Sequence, residues 1–311
     1  MFAKVETLQS PSGAALAWRH WPASGPHKGV LIVAHGLAEH SARYARFAEV
    51  MAAHGFNVYA HDHRGHGATR AADAPLGRYA QAQGAAKVVD DVAAMRAMAA
   101  SRHPGLPVIL FGHSMGGLIA LNAAEENPGL YDGLAVWNSN FNPGLAGRAA
   151  QAVLAVEKML KGSDVPSGLL SKLTFGAWAK SIPERKTDYD WLSHDPVEVA
   201  KYIDDPLCGF DASVSMWIDL FKLTFAGASP DRLAGLPQDL PVHLVGGGQD
   251  PATTGGQEIR WLERRMRAAG LKGVTTIVYP AMRHETLNET ERDGAMRDFA
   301  GWCLSVVERR T

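Results

Sequence analysis

The chain has 311 residues, 46% of them hydrophobic and 20% charged, with a formal net charge of −1. This supports a globular core of one large α/β domain, or such a domain carrying an insertion. It excludes nucleic acid as the main partner, because phosphate binding needs clustered Lys and Arg and no basic stripe is present.

In chain order, AKVETLQ and ALAWRHW flank Pro11-Ser12-Gly13 and read as two short strands around a turn. KGVLIVAHG is a short apolar run, the pattern of a buried parallel strand, ending at His35-Gly36. Residues 41–54 have helical spacing, with Tyr44, Phe47, Val50 and Met51 on one side and Gly55 as the stop. FNVYAHD reads as a strand, residues 87–101 as a helix, PVILFGHS as a strand, MGGLIALNAAEEN as a helix and DGLAVWNS as the sixth strand. PVHLVGGGQD and GVTTIVYP repeat the strand pattern around the helix QEIRWLERRMRAAG, and ERDGAMRDFAGWCLSVVERR is a closing amphipathic helix. Alternation of this kind predicts a mostly parallel eight-stranded sheet with helices on both faces.

One stretch breaks the alternation. From about 141 to 237 there is no buried-strand run, only amphipathic pieces: QAVLAVEKMLKG, GLLSKLTFGAWAK and SVSMWIDLFKLTF. The expected organisation is a catalytic α/β domain in two parts, 1–140 and 238–311, with a helical cap inserted at 141–237. The two cysteines, Cys208 and Cys303, are too few and too far apart for a disulfide framework or a zinc ribbon, and point to reduced thiols in a cytoplasmic setting. The opening MFAKVETLQSPSGAALAWRHW has no uninterrupted apolar core, so it does not read as a signal peptide. No apolar run approaches the ~20 residues that span a bilayer. A soluble protein is expected, its oligomeric state left open.

The chemistry centres on Gly112-His113-Ser114-Met115-Gly116, a G-x-S-x-G between a strand and a helix. Glycines suit a turn too sharp for side chains, and the serine is presented at a helix N-terminus, where developing negative charge is favoured. A serine hydroxyl needs a base, and the base needs a carboxylate that holds its tautomer. In a strand–turn–helix setting of this type the partners follow in the order Ser, acid, His. The seventh strand ends in Asp250, and the eighth leads through AMRHE to His284. His243 is a rival base but lies inside a strand; Asp132 is a rival acid but precedes its strand, at the wrong end of the sheet. An oxyanion needs two backbone N–H donors, each lowering the barrier by roughly 3 kcal/mol. Met115 supplies one; Leu37, after His35-Gly36, supplies the other.

With these residues in place the chain resembles the serine hydrolases of the α/β-hydrolase fold, and more narrowly the monoacylglycerol lipase and lysophospholipase group. The matching stretches are HGLAEHSARY from His35 to Tyr44, DHRGHG from Asp62 to Gly67, GHSMGG from Gly112 to Gly117, Asp250, and Arg283-His284-Glu285 with Leu287-Asn288-Glu289. Two departures stand out: Ala38 where glycine is frequent, and NSNFNP (Asn138 to Pro143) where Ser-x-Pro is usual. HDHRGHG itself, with three histidines in six positions, has a spacing that suits a metal, since His61 and His63 share a face of an extended strand. The resemblance instead implies a structural loop in which Asp62 and Arg64 fix neighbouring backbone. No metal and no cofactor is assigned.

The expected reaction is acyl transfer to water through an acyl-enzyme on Ser114. Apolar residues of the insertion (Leu154, Met159, Leu169, Leu170, Phe175, Trp178, Met216, Trp217, Phe221 and Phe225) are divided between helix packing and an acyl tunnel. A ten-carbon chain buried at ~0.8 kcal/mol per methylene gains roughly 8 kcal/mol before costs, favouring monoacylglycerols or lysophospholipids over acetyl esters. Transient contact of the cap with a membrane surface is a further expectation, from its amphipathic helices. Three alternatives stay open. One is a small-molecule carboxylesterase. Another is an aminopeptidase-like enzyme, for which Glu184, Asp188, Asp190 and Asp195 are available acids. The third is a non-catalytic ligand-binding protein.

Overall fold

A computed structural model describes residues 2–310. The elements are β1 (Glu6–Gln9), β2 (Ala15–Trp21), β3 (Gly29–Ala34), α1 (Ala45–Ala53), β4 (Phe56–His61), α2 (Gly84–Arg102), β5 (Val108–His113), α3 (Met115–Glu126) and β6 (Gly133–Trp137). There follow α4 (Gly144–Lys161), α5 (Gly168–Leu173), α6 (Phe175–Ser181), α7 (Pro196–Asp204), α8 (Val214–Gly227) and α9 (Pro230–Ala234). The chain closes with β7 (Val242–Gly247), α10 (Gln257–Ala268), β8 (Val274–Tyr279) and α11 (Arg292–Glu308).

The strands form one sheet in the order β1-β2-β4-β3-β5-β6-β7-β8. β1, β2 and β4 pair antiparallel and every other pair is parallel. Strand periodicity feeds two apolar layers. Val30, Ile32, Val108 and Leu110 pack toward α2, α3 and α10, whereas Leu31, Val33, Ile109 and Phe111 pack toward α1 and α11. β3 and β5 are buried at every position, which is why they read as continuous apolar runs rather than alternating ones. All six helices from α4 to α9 lie between β6 and β7. Among the described residues no helix is long and apolar enough to cross a membrane.

Three local readings are corrected. The helix expected over 41–54 opens as a 3-10 turn, Ser41–Tyr44, before α1. GLLSKLTFGAWAK is two helices, α5 and α6, broken at Thr174 (φ −106°, ψ −84°). α7 was not predicted, although Asp195-Pro196 is a helix-start signal: the Asp195 side chain accepts the Val197 N–H at 3.0 Å and Pro196 occupies the first turn.

The HDHRGHG loop behaves as a fixture. Asp62 accepts the backbone N–H groups of Ser41 at 2.9 Å and Ala68 at 2.8 Å. Arg64, wholly buried, donates to Asp91 at 2.8 Å and to the Tyr79 carbonyl at 2.9 Å. His35, His61, His63 and His66 cluster at the sheet's C-terminal edge in tilted and edge-on contacts, with ring centroids 4.4–5.1 Å apart for three of the pairs. Among the described residues, the metal-type donors that converge within 4.8 Å are His40, Asp205 and Cys208, not these histidines. His40 Nε2–H already donates to Asp205 at 2.8 Å, and burial pushes the Cys208 thiol up, so that trio is not assigned to a metal.

Candidate active site

Ser114 joins β5 to α3 with φ 54° and ψ −118°, a strained conformation that the surrounding packing must hold. The turn requires its glycines: a Cβ on Gly112 would overlap the Gly116 carbonyl, and one on Gly116 would overlap that of Ala34. The Ser139 hydroxyl donates to the Ser114 carbonyl at 2.7 Å and secures the bend.

Asp250 follows β7, and His284 lies in the loop after β8. The Ser114 hydroxyl donates to His284 Nε2 at 2.9 Å. His284 Nδ1–H donates to Asp250, whose two oxygens each lie at 3.0 Å. A proton held on Nδ1 leaves Nε2 basic and facing the serine. Asp250 is fully buried and also accepts from the Ala252 N–H at 2.9 Å, Thr253 Oγ1 at 2.8 Å and Asn138 Nδ2 at 3.2 Å. Burial alone would raise its pKa; the charge and hydrogen bond of His284, with Thr253 and Asn138, outweigh that and hold it below the ordinary carboxylate value. The rivals are elsewhere. His243 Nδ1 accepts the Trp137 indole N–H at 3.1 Å within the sheet. Asp132 accepts the Val108 N–H at 2.7 Å at the opposite edge.

Sequence reasoning missed Asn138 and Thr253 as partners of Asp250. Asn138 sits at φ 52° just past β6, inside the NSNFNP stretch that departs from the usual pattern, and that departure was its only signal. His113, singled out as part of the elbow, does more than turn the chain. Its Nε2–H donates to the His284 carbonyl at 3.1 Å, and Nδ1 lies 3.6 Å from Glu39. Burial works to lower the His113 pKa, but Glu39 outweighs it and raises it. Glu39 accepts the Gly36 N–H at 2.5 Å and Arg43 at 2.6 Å, and Arg43 grips Glu285 through two bonds of 2.6 and 2.7 Å. The loop bearing Leu37 and the loop bearing His284 are therefore tied by one buried charged network. Among the described residues, neither the Leu37 nor the Met115 N–H donates to a protein acceptor.

Two cavities meet at Ser114, Leu37 and His284. One, of about 550 Å³, is walled by apolar groups that include Leu118, Val153, Leu170, Trp178, Trp217 and Phe221. The other, of about 530 Å³, includes Lys172, Lys180, Arg185, Asp188, Tyr189 and Tyr202. Of the ten apolar residues divided above, Leu170, Phe175, Trp178, Trp217 and Phe221 line the first cavity. Leu154 and Met216 are buried in helix packing, and Met159 and Leu169 face solvent. Phe225 stacks on Phe221 and beneath Arg148.

The Hydrolase_4 family model, described as serine aminopeptidase, S33, matches residues 25–291. The chain belongs to the Hydrolase_4 family. This hydrolase is 30% identical to the monoacylglycerol lipase of Mycolicibacterium smegmatis over 293 residues, 94% of each chain. Among solved structures it is similar to a lipase in its open form, at 26% identity and TM-score 0.83 over 98% of this chain and 99% of that one. A thermostable carboxyl esterase from Bacillus coagulans in complex with glycerol superposes with TM-score 0.87 at 24% identity, 98% of each chain covered, a likeness of fold. Of the acids considered for amine recognition, Asp188 lines the polar cavity, whereas Asp190 and Asp195 have other work. Asp190 accepts the Lys186 N–H at 2.6 Å. Asp195 caps α7 and pairs with Arg292 at 2.8 Å.

Proposed function

We propose that the hydrolase cleaves the carboxylic ester of monoacylglycerols or lysophospholipids through an acyl-enzyme on Ser114. The reading rests on one observation above all: the Ser114–His284–Asp250 relay opens where an apolar cavity meets a polar one. The acyl chain enters the apolar side and the alcohol of the ester faces the polar side. Ser114 Oγ attacks the carbonyl carbon as His284 Nε2 takes its proton, and the oxyanion is received by the Leu37 and Met115 N–H groups. His284 returns the proton to the departing alcohol oxygen. Water, deprotonated by the same nitrogen, then attacks the acyl carbon; the carbon–Ser114 Oγ bond breaks, Oγ takes the proton back from His284, and the acid is freed. In this reading residues 1–140 and 238–311 form the catalytic domain and 141–237 its cap. The free thiols of Cys208 and Cys303 accord with a reducing, cytoplasmic setting.

The test is a panel of esters graded from two to eighteen carbons. kcat/KM is expected to climb by about 10²-fold or more between acetyl and decanoyl esters, since each buried methylene contributes ~0.8 kcal/mol before costs. A panel that is flat or best at acetyl would remove the lipid assignment and leave a small-molecule carboxylesterase. An aminoacyl p-nitroanilide turned over faster than p-nitrophenyl octanoate would favour the peptidase alternative.

The cap is proposed to touch lipid surfaces through α4. Leu145 is 89%, Met159 78% and Leu160 73% exposed, with Val156 on the same face, and Lys158 and Lys161 stand in the last turn of the helix. Cosedimentation with anionic vesicles at low salt should retain the protein and Leu145→Glu combined with Met159→Glu should release it. Absence of retention at low salt would end this part of the reading.

A further inference from the structure

We infer that Tyr202, on α7, is a positioning residue for the oxyanion loop: with the Gly209 N–H, its hydroxyl holds Ala38 in a backbone conformation that alanine does not favour. The inference rests on the proposed role of the neighbouring Leu37 N–H.

Ala38 has φ 56°, in the left-handed region where the Cβ of an L-residue crowds its own backbone and where glycine normally stands. It is 1% exposed, so solvent does not reach its carbonyl. That carbonyl accepts two hydrogen bonds, from Tyr202 Oη at 3.0 Å and from the Gly209 N–H at 2.9 Å. Both donors come from the segment between β6 and β7, whereas Ala38 follows β3. Ala38 is thus held by the insertion and not by its own domain. Two residues before Ala38 and one after it, the loop is pinned by the Gly36 N–H to Glu39 bond. The two peptides between Gly36 and Ala38 are therefore held from both ends, and the Leu37 N–H, which belongs to the first of them, is aimed by that turn.

Tyr202 is built to hold still. It is buried, its ring lies 4.9 Å from the Arg43 guanidinium and 5.1 Å from the Tyr189 ring, and burial keeps its phenol protonated, hence a donor. A left-handed alanine with two cap-derived donors on its carbonyl means that the oxyanion loop is correctly shaped only while the base of the cap is seated on it. Glycine at this position adopts the same φ without a clamp.

The experiment is a double-mutant cycle of Tyr202→Phe and Ala38→Gly, measured with p-nitrophenyl butyrate, whose leaving group carries no hydroxyl for Tyr202 to bind. Rates are taken per active site titrated with a fluorophosphonate. Tyr202→Phe is expected to lower kcat by about tenfold with KM changed by less than about twofold, the loss of one buried hydrogen bond expressed in the transition state. Ala38→Gly alone should stay within about threefold of the parent. In the Ala38→Gly background the Tyr202→Phe penalty should shrink below about threefold, a coupling that a general loss of stability does not produce. An unchanged kcat in Tyr202→Phe, an effect confined to KM, or a full tenfold penalty retained on glycine each overturns the inference. If titration finds Tyr202→Phe mostly unfolded, Tyr202→Met is put through the same cycle. Ester hydrolysis that survives in Ser114→Ala would instead strike the functional reading itself.

Discussion

Ser114→Ala is expected to lower ester turnover by about four to six powers of ten while the protein stays folded and still binds lipid. The hydroxyl is the group that bonds to His284 Nε2, and no other nucleophilic side chain replaces it on that nitrogen. The elbow does not depend on the hydroxyl. Its bend is secured through the Ser114 carbonyl and the overlap-free glycines, and alanine meets the same backbone conformation with the same Cβ. A residual rate above water would come from the proposed oxyanion donors, the Leu37 and Met115 N–H groups, and from substrate placement. Measurement of kcat with p-nitrophenyl octanoate, together with the far-ultraviolet spectrum and Tm, checks both halves. Half the parental rate in a folded variant would contradict the assignment.

The second large effect is a loss of stability in mild acid. Burial, then the neighbouring His35 charge, lowers His61 from 6.5 to about 4 and His66 to about 3; burial lowers His243 to about 4. His35 and His63 shift in the same direction, again chiefly through burial. Among the described residues, no protein group hydrogen-bonds to either ring nitrogen of His61 or of His63, or to Nε2 of His66, so charging any of these rings within the fold is unfavourable. The acids that face them, Asp62, Asp91 and Glu39, offset only part of this. A histidine whose folded pKa is depressed binds fewer protons folded than unfolded. Its contribution is complete above about pH 6.5 and is lost as pH falls toward the folded value. At pH 5 a ring moved from 6.5 to about 4 has forfeited about 2 kcal/mol. His113, shifted upward, and Glu125, which burial raises to about 8, act the other way, but they stand against seven lowered histidines, since His20, lowered to about 4, and His103 join the five above. Several kcal/mol should go between pH 7.5 and 5, lowering Tm by on the order of 10 °C. Thermal scans across that range test it, and His66→Gln should flatten the slope. A Tm that is level from 7.5 to 5 would mean that these rings are not charged on unfolding, or that protonation is accommodated within the fold.

Much of this molecule was legible before any coordinates. β3 (GVLIVA), β5 (VILFGH) and β6 (GLAVW) are nearly continuous apolar runs, and a buried parallel strand has no polar face to alternate with. The order of the elbow serine, Asp250 and His284 along the chain was readable because each stands directly after a strand that is unmistakable in its own right. His243 and Asp132 could be set aside on the same ground. Less legible was the region 141–237, where amphipathic pieces reveal a helix but not its partner. Helix periodicity did not anticipate the break at Thr174, and the Asp195-Pro196 signal for α7 went unread beside longer apolar patterns.

What the sequence determined by itself was therefore local and periodic: eight strands, the helices between them, the sharp turn at Ser114, and which residue types follow which strand ends. Those properties depend on neighbours within a few positions, and a single chain displays them openly. Only the tertiary structure decided that Asn138 and Thr253 grip Asp250, that five of ten apolar candidates line a cavity while others pack or face solvent, and that the carbonyl of left-handed Ala38 accepts from donors more than 160 residues away. Contacts of that kind join segments with no periodic relation to one another, so no pattern along the chain encodes them; they exist once the sheet has brought its loop ends to a common edge.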